Sequence, residues 1–181
     1  MSDRLGLGVG IRTTTRFAIT GMTIVAVALC SALLRAQPQA ADSRAAMERL
    51  KTLVGKWESR VKGSSGGPSS VTYTLTSRGS VLIEDAGGMM TAYHMDKDQL
   101  VLTHFCGAGN QPRMRIKAAD ANHIYFEMYD ITNLANPQAY HSTTLDVVFL
   151  GNDRVDLVYG GISAGQPSAQ TFQLTRKATS F

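Results

Sequence analysis

Cysteine is almost absent from this chain of 181 residues, which contains only Cys30 and Cys106. Cys30 lies in an N-terminal segment that reads as a removable leader, so the remaining domain keeps one thiol and can form no internal disulfide. Its stability must therefore come from packing. Hydrophobic residues make up 44% of the chain and charged residues 18%, which excludes a disordered or collagen-like protein. We expect one compact domain.

A strong charge of one sign is also missing from the region that folds. The whole chain has a formal net charge of +4 and a pI of about 9.2. However, four of the 18 basic residues but only one of the 14 acidic residues precede Gln37, which leaves 14 basic and 13 acidic residues after it. This near-neutral balance argues against nucleic acid as a partner, because phosphate binding requires a basic surface.

One long hydrophobic run is present, and it lies near the N-terminus. The uncharged segment Phe17–Leu34 follows several arginines and precedes the small residues Ala36 and Ala40. This pattern predicts an export signal peptide over residues 1–40, followed by a domain over residues 41–181. The alternative is an uncut N-terminal membrane anchor, because 18 apolar residues reach the minimum length for a spanning helix. In either case we expect the domain to be exported, periplasmic or secreted.

The rest of the chain contains one helical pattern and then a period of two. Apolar residues recur at spacings of three and four between Asp42 and Gly55, which predicts one short amphipathic helix. The later pattern suits an antiparallel sheet with one wet face, and closing such a sheet removes its exposed edges. We predict a mostly β fold, an antiparallel up-and-down barrel of about ten strands with a short N-terminal helix. The strands should begin near Trp57, Val71, Ser80, Met89, Gln99, Arg113, His123, Tyr140, Arg154 and Ala169.

Alternation within each strand predicts which side chains face the interior. The inward set is apolar or aromatic, and the opposite faces carry Thr, Arg, Lys, Glu and Gln. Four connections are longer than hairpins, Gly63–Ser70, Cys106–Pro112, Ile131–Ala139 and Gly160–Ser168, and ligand specificity is expected there. The predicted inward residues are Val71, Tyr73, Leu75, Met114, Ile116, Ile124, Phe126, Met128, Leu145, Val147, Phe149, Val155, Leu157, Tyr159, Phe172 and Leu174.

Two motifs resemble a known family. Leu53-Val54-Gly55-Lys56-Trp57 resembles the opening motif of lipocalins and other calycins, with Arg176 at the position of their closing arginine. The runs Tyr93–Cys106 and Asn110–Met114 are similar to a family of exported, mostly uncharacterised bacterial lipocalin-like β-barrel proteins. The resemblance covers most of residues 47–177. It implies the barrel fold, with Gly55, Trp57 and Arg176 as structural residues, and brings no established activity.

The direction of Arg176 follows from strand alternation. Arg176 shares a strand face with Phe172 and Leu174, so its side chain should point inward. We therefore expect its guanidinium to stack on the indole of Trp57 in a cation–π contact.

A possible catalytic motif is weak because its partners are missing. The segment Gly161–Gly165 matches the G-x-S-x-G nucleophile elbow around Ser163. That mechanism needs a following helix and later Asp and His residues, but no Asp, Glu or His follows Ser163. The motif favours a glycine-rich hairpin loop, and we assign no catalytic residue.

The histidines raise the question of a metal or haem. His104 and Cys106 share a strand face, and His94 lies across the turn Asp96–Asp98. A three-residue turn would bring His94 onto the face of His104, whereas a two-residue turn would put it on the other face. Convergence would make a possible His-His-Cys metal site, but no H-x-H or C-x-x-C spacing supports it. We expect local hydrogen bonding rather than a metal or other cofactor, and haem ligation by His94, His104, His123 or His141 is a minor alternative.

Polar side chains are dense near one end of the predicted apolar wall. Asn110, Gln111 and Arg113 could hold a ligand carboxylate or carbonyl at the barrel mouth, or they could instead order the turn. His141 flanks the neighbouring long connection. The predicted ligand-binding residues are Tyr93, His94, His104, Cys106, Asn110, Gln111, Arg113 and His141.

These observations favour binding over catalysis. Eight strands enclose a space that side chains can just fill, so a wider barrel should keep an apolar cavity. We expect an extracytoplasmic binding protein for a small hydrophobic or amphipathic molecule. The alternatives are a hydrolase-like or other enzyme that uses His94, His104 and Arg113 at the mouth, a haem-binding barrel, and a filled barrel that docks another protein.

Overall fold

The computed structural model describes residues 42–178, so the predicted leader over residues 1–40 lies outside the described part. Within that part, no helix has the length and apolar character needed to span a membrane. A short 3-10 turn, Ser77–Gly79, separates the second and third strands. The elements in chain order are α1 (Ser43–Lys51), β1 (Gly55–Val61), β2 (Ser69–Thr76), β3 (Val81–Asp85), β4 (Met90–Asp96), β5 (Gln99–Phe105), β6 (Gln111–Ala119), β7 (His123–Thr132), β8 (His141–Phe149), β9 (Arg154–Ser163) and β10 (Gln166–Arg176).

The ten strands form one closed sheet. Each strand pairs antiparallel with the next strand of the chain, and β10 pairs with β1 to complete the circle. Closure pairs both edges of the sheet, and this removes the edges through which open sheets associate. The predicted ten-strand, lipocalin-like up-and-down barrel with one short helix is confirmed.

Helix α1 lies across one end of the barrel, which we call the closed end. Asp42 caps the helix by accepting hydrogen bonds from the backbone N–H groups of Arg44 and Ala45. The helix packs against β4, β5 and β6, and it buries Met47 and Leu50 in the main core. The closed end is therefore sealed by apolar contact rather than by a disulfide.

The predicted contact between Trp57 and Arg176 is present at the closed end. The guanidinium carbon lies 4.2 Å from the centroid of the fully buried indole, which is a cation–π distance. The indole Nε1 donates to the carbonyl of Leu53 at 2.7 Å. Arg176 also donates to the carbonyls of Val54 at 2.9 Å and Thr52 at 2.8 Å, just beyond the end of α1. One arginine thus joins β10, β1 and the helix end.

Gly55 is the residue that allows this close approach. Its φ of +128° lies in a region that residues with side chains rarely adopt. A Cβ at this position would also lie 3.2 Å from Nη1 of Arg176. The glycine of the Gly-x-Trp motif therefore allows the backbone conformation at the start of β1 and leaves room for the side chain of Arg176.

The inner face of the barrel is largely filled by side chains. Most of the predicted inward residues belong to the core, but Leu75 is 43% exposed because β2 ends one residue later at the rim. The predicted connection Gly160–Ser168 is wrong, because β9 and β10 continue into it and meet at the two-residue turn Ala164–Gly165. Among the largest fully buried side chains are Trp57, Tyr73, Tyr93, Phe126, Leu50, Leu53, Leu82, Leu100, Leu102, Met114, Ile124 and Leu145.

Candidate functional site

A small cavity lies inside the barrel towards the end opposite α1, which we call the open end. Its volume is about 60 Å³, enough for a few water molecules and well below the roughly 300–1,000 Å³ of ordinary ligand pockets. The expected wide cavity is therefore absent from this interior, because large aromatic side chains occupy the space near the closed end. The cavity is lined by Ser59, Val71, Glu84, Met89, His104, Cys106, Tyr140, Ser142, Leu157, Tyr159, Phe172 and Leu174.

Four side chains form a polar row across neighbouring strands of the inner face. Tyr73 pairs with Glu84, Glu84 with Thr91, and Thr91 with His104, so β2 to β5 each contribute one residue. Residues directly opposite each other in an antiparallel pair point to the same side of the sheet. All four members of this polar row are buried. A buried row of this kind needs internal hydrogen bonds, since water cannot satisfy it.

Glu84 is the carboxyl group of the polar row. Its Oε2 accepts hydrogen bonds from the hydroxyls of Tyr73 at 3.0 Å and Tyr93 at 2.8 Å. Its Oε1 has no hydrogen-bond partner among residues 42–178, and the side chain lines the cavity. Burial raises the pKa of Glu84, although both phenol bonds act in the opposite direction. Burial also raises the pKa of each of the two tyrosines well above its ordinary value.

His104 is the second titratable group that lines the cavity. Its Nδ1 is hydrogen-bonded to the Thr91 hydroxyl at 2.9 Å, and its ring centroid lies 5.6 Å from that of Tyr159. Burial lowers the pKa of His104 to about 4. The imidazole is therefore neutral near pH 7, where it can donate or accept a hydrogen bond without adding charge.

The rim of the cavity comes from the connections at the open end. Cys106 follows β5 and Tyr140 precedes β8, and both line the cavity. Asn110 is buried and donates from Nδ2 to the backbone carbonyl of Tyr140 at 2.7 Å. Of the predicted ligand-binding residues, Asn110 thus joins two rim segments, and Cys106 and His104 contribute to the wall.

The amide of Gln111 is occupied by the protein itself. Its Oε1 accepts from Thr132 at 2.8 Å and from Asn133 at 2.9 Å, and its Nε2 donates to the carbonyl of Gly109 at 2.9 Å. This arrangement ties the β5–β6 connection to the end of β7. Gln111 therefore orders this connection, which is the second of the two roles that the sequence left open for it.

Arg113 does not lie where a ligand in the cavity could reach it. Its neighbours Pro112 and Met114 are buried, and alternation directs Arg113 to the outer face. There it forms an ion pair and hydrogen bond with Asp130 of β7. The predicted carboxylate contact from Arg113 at the mouth is thus not supported by the position of this side chain.

His94 also lies apart from His104. Asp96 pairs with Gln99, so the β4–β5 turn has two residues, and Lys97 supplies the required positive φ of +54°. This register puts His94 on the outer face opposite Val101. The turn is therefore the two-residue alternative, and His94 does not converge with His104 and Cys106.

The remaining histidines make local hydrogen bonds. His141 is buried and bonds through Nδ1 to the carbonyl of Ala139 at 2.8 Å, and the half-exposed His123 lies 3.3 Å from Asp146. Within residues 42–178, no group of three or more His, Cys, Asp or Glu residues is placed to hold a metal ion.

Glu84 lines the cavity but was not predicted from the sequence as a site residue. The strand Val81–Asp85 has apolar residues on both faces, so alternation alone does not say that Glu84 points inward. A usable signal was nevertheless present, because Tyr73 and Tyr93 were both assigned to the interior or the site and a buried phenol needs a hydrogen-bond partner. Glu84 is such an acceptor, because it lies on β3 between the strands that carry the two tyrosines.

The sequence matches no protein-family model and no curated protein at a significant level. The fold and the site therefore define the protein as a closed antiparallel barrel with a small half-open cavity, an apolar wall and a buried polar row.

Proposed function

We propose that this protein binds a small hydrophobic or amphipathic molecule in the barrel cavity, outside the cytoplasm. The observation that carries the proposal is the combination, in one half-open cavity, of apolar walls and polar groups. Leu157, Phe172 and Leu174 offer apolar surface, while Glu84 and His104 offer hydrogen bonds. Specific small-molecule sites combine surfaces in this way, with a few polar groups that orient a mainly apolar ligand.

The size of the cavity restricts the ligand. A volume of about 60 Å³ accommodates a few heavy atoms, so the occupant is a short molecule or the end of a longer one. A haem is far larger than this space, which argues against ligation by His104. The proposed ligand class is therefore narrower than the fatty acids that a wide barrel would favour.

The proposed location outside the cytoplasm rests on the N-terminal sequence. Arginines followed by the apolar run Phe17–Leu34 are typical of export signals. Membership of the exported lipocalin-like family, proposed from the motifs around Trp57 and Tyr93, agrees with this location.

Binding is favoured over the enzymatic alternative by the positions of three side chains. His94 and Arg113 lie on the outer face, whereas His104 lies inside the barrel. Acid–base chemistry requires its groups to reach the same substrate atoms, which these three do not.

Native mass spectrometry of the protein taken from its own envelope tests the proposal. We expect a stoichiometric small-molecule adduct that disappears in Leu157→Phe, because the larger ring fills the cavity. The matched control is Leu150→Phe at an exposed position, with folding of both variants checked by circular dichroism. An adduct that survives in folded Leu157→Phe, or a protein partner in place of a small molecule, contradicts the proposal.

A further inference from the structure

We propose that the cavity selects a cationic head group, and that its ligand is a short protonated amine held by the carboxylate of Glu84. This inference rests on the proposed binding function and names the chemical class of the ligand. Three features of the cavity support it: its charge, the free oxygen of Glu84 and the aromatic wall.

The charge of the cavity has one sign. Among its described lining residues, Glu84 is the carboxyl group, and none is Lys or Arg. The other titratable residues that line it are His104, Cys106, Tyr140 and Tyr159, and the hydroxyls of Tyr73 and Tyr93 contact Glu84 from β2 and β4. These tyrosines and His104 are neutral near pH 7, because burial raises the pKa of each tyrosine and lowers the pKa of the histidine. When Glu84 is ionised, the cavity therefore repels a carboxylate and attracts a cation.

The oxygen Oε1 of Glu84 is the atom at which a ligand cation would bind. Both phenol hydroxyls donate to Oε2, whereas Oε1 has no partner within residues 42–178. Glu84 is 3% exposed and lines the cavity, so Oε1, which is not sealed from solvent, has far less contact with water than an oxygen of a surface carboxylate. A buried carboxylate is stable only when it is paired and hydrogen-bonded. An ammonium group supplies both the opposite charge and up to three donors.

The walls fit the rest of such a ligand. Tyr159 and Phe172 meet edge to face with their centroids 5.9 Å apart, and His104 packs against Tyr159. Aromatic faces stabilise a desolvated cation, and the hydroxyls of Ser59 and Ser142 are available as further acceptors. The apolar remainder and the volume of about 60 Å³ suit a chain of a few carbons.

Three probes of equal length distinguish the effect of ligand charge from the effect of ligand shape. Propylamine, 1-propanol and propionate are titrated into the purified full-length protein at pH 7.5, and the methyl signals of Leu157 and Leu174 are followed by NMR. We expect propylamine to bind at least ten-fold more tightly than 1-propanol, and propionate to bind most weakly. Equal affinity for the amine and the alcohol overturns the cationic inference while leaving the binding function intact. If none of the three probes shifts the cavity signals, both proposals fail.

A pair of adjacent carboxyl groups provides the matched variants. Glu84→Gln keeps the shape and the acceptor for the two phenols but removes the charge, so the preference for propylamine over 1-propanol should disappear. Asp85→Asn removes the neighbouring carboxylate, which is exposed on the outer face, and should leave that preference unchanged. The cationic inference fails if folded Glu84→Gln retains the preference.

If Glu84→Gln does not fold, the pH dependence of propylamine binding to the wild-type protein tests the same inference. Propylamine is protonated throughout pH 5–8, so its affinity should rise as Glu84 ionises through its raised pKa. His104 remains mainly neutral in this range because its pKa is about 4. Affinity for 1-propanol should change less. If the propylamine affinity does not rise relative to that of 1-propanol at any pH above 4.5, the ordinary pKa of this carboxyl group, the inference is overturned.

Discussion

The two ends of the barrel differ in how they use polar side chains. At the closed end, Arg176 and Trp57 direct their polar atoms at the backbone carbonyls beside α1, and apolar side chains fill the remaining space. At the open end, one oxygen of Glu84 has no hydrogen-bond partner in the described chain, and side chains leave a cavity of about 60 Å³. The closed end therefore contributes mainly to stability, and the open end keeps room for a ligand.

The lengths of the connections also differ between the two ends. Two-residue turns occur at both ends, as Lys97–Asp98 at the closed end and Ala164–Gly165 at the open end, but the connections longer than four residues, 62–68, 106–110 and 133–140, all lie at the open end. Loops carry recognition more often than the elements they join, because they vary without disturbing the core. We therefore expect changes at the closed end to lower stability strongly, and exposed changes at the open end to affect mainly binding.

The largest expected effect comes from Trp57→Ala. Truncating this fully buried indole removes apolar contacts, the hydrogen bond to Leu53 and the stacking of Arg176, and should cost about 3–5 kcal/mol in the free energy of unfolding. Chemical denaturation measures the loss. The control Phe105→Ala removes an aromatic ring that is 41% exposed near the open end, and should cost under about 1 kcal/mol. Equal losses in the two variants would remove the distinction between the ends.

The second effect is a loss of stability in acid caused by His104. Its folded pKa of about 4 lies below its ordinary value of 6.5, so the unfolded chain binds the proton more tightly. The stability that neutral His104 provides is complete above pH 6.5 and is lost as the pH falls towards 4, by roughly 3 kcal/mol. Glu84 acts in the opposite direction, because its raised pKa favours the folded state at low pH.

Denaturation curves at several pH values isolate the contribution of His104. The difference in stability between wild type and His104→Gln should shrink as the pH falls from 6.5 to 4. His123→Gln, which removes a half-exposed imidazole, is the control variant. A difference that stays constant over this range would mean that His104 titrates normally.

A smaller effect is expected from changes at Arg176. Arg176→Ala loses the cation–π contact and the bonds to the carbonyls of Thr52 and Val54, and should cost about 2 kcal/mol. Arg176→Lys should recover only part of this loss, since an ammonium cannot reproduce the planar fork. Thermal unfolding of both variants measures it, and full recovery by lysine would show that charge alone suffices.

The smallest effect is expected from Arg113→Ala. The ion pair with Asp130 is on the outer face with both side chains about two-fifths exposed, so its loss should cost under about 1 kcal/mol. Binding of propylamine to the cavity should not change. Lys117→Ala, which breaks a similar exposed pair with Glu127, is the control. A ten-fold loss of cavity binding in Arg113→Ala alone would restore its predicted role at the mouth.

The strands and the closed end were largely readable from the sequence. Alternation in segments such as Ile124–Met128 has a period that only a half-buried strand produces. The contact between Trp57 and Arg176 followed from a motif and the parity of β10. The inward direction of Glu84 could not be predicted from the sequence, because strand Val81–Asp85 carries apolar residues on both faces. The direction of its side chain depends on how β3 pairs with β2 and β4.

The sequence by itself determined the repeated strands, the short helix that precedes them and the residues that meet at the closed end, since each depends on local periodicity or a short motif. Tertiary structure decided the site. The two-residue β4–β5 turn set the register that moved His94 outside, and pairing across β2 to β5 brought Tyr73, Glu84, Thr91 and His104 into one row. Because a shift of one residue reverses every side chain of a strand, such placements depend on the closed sheet as a whole.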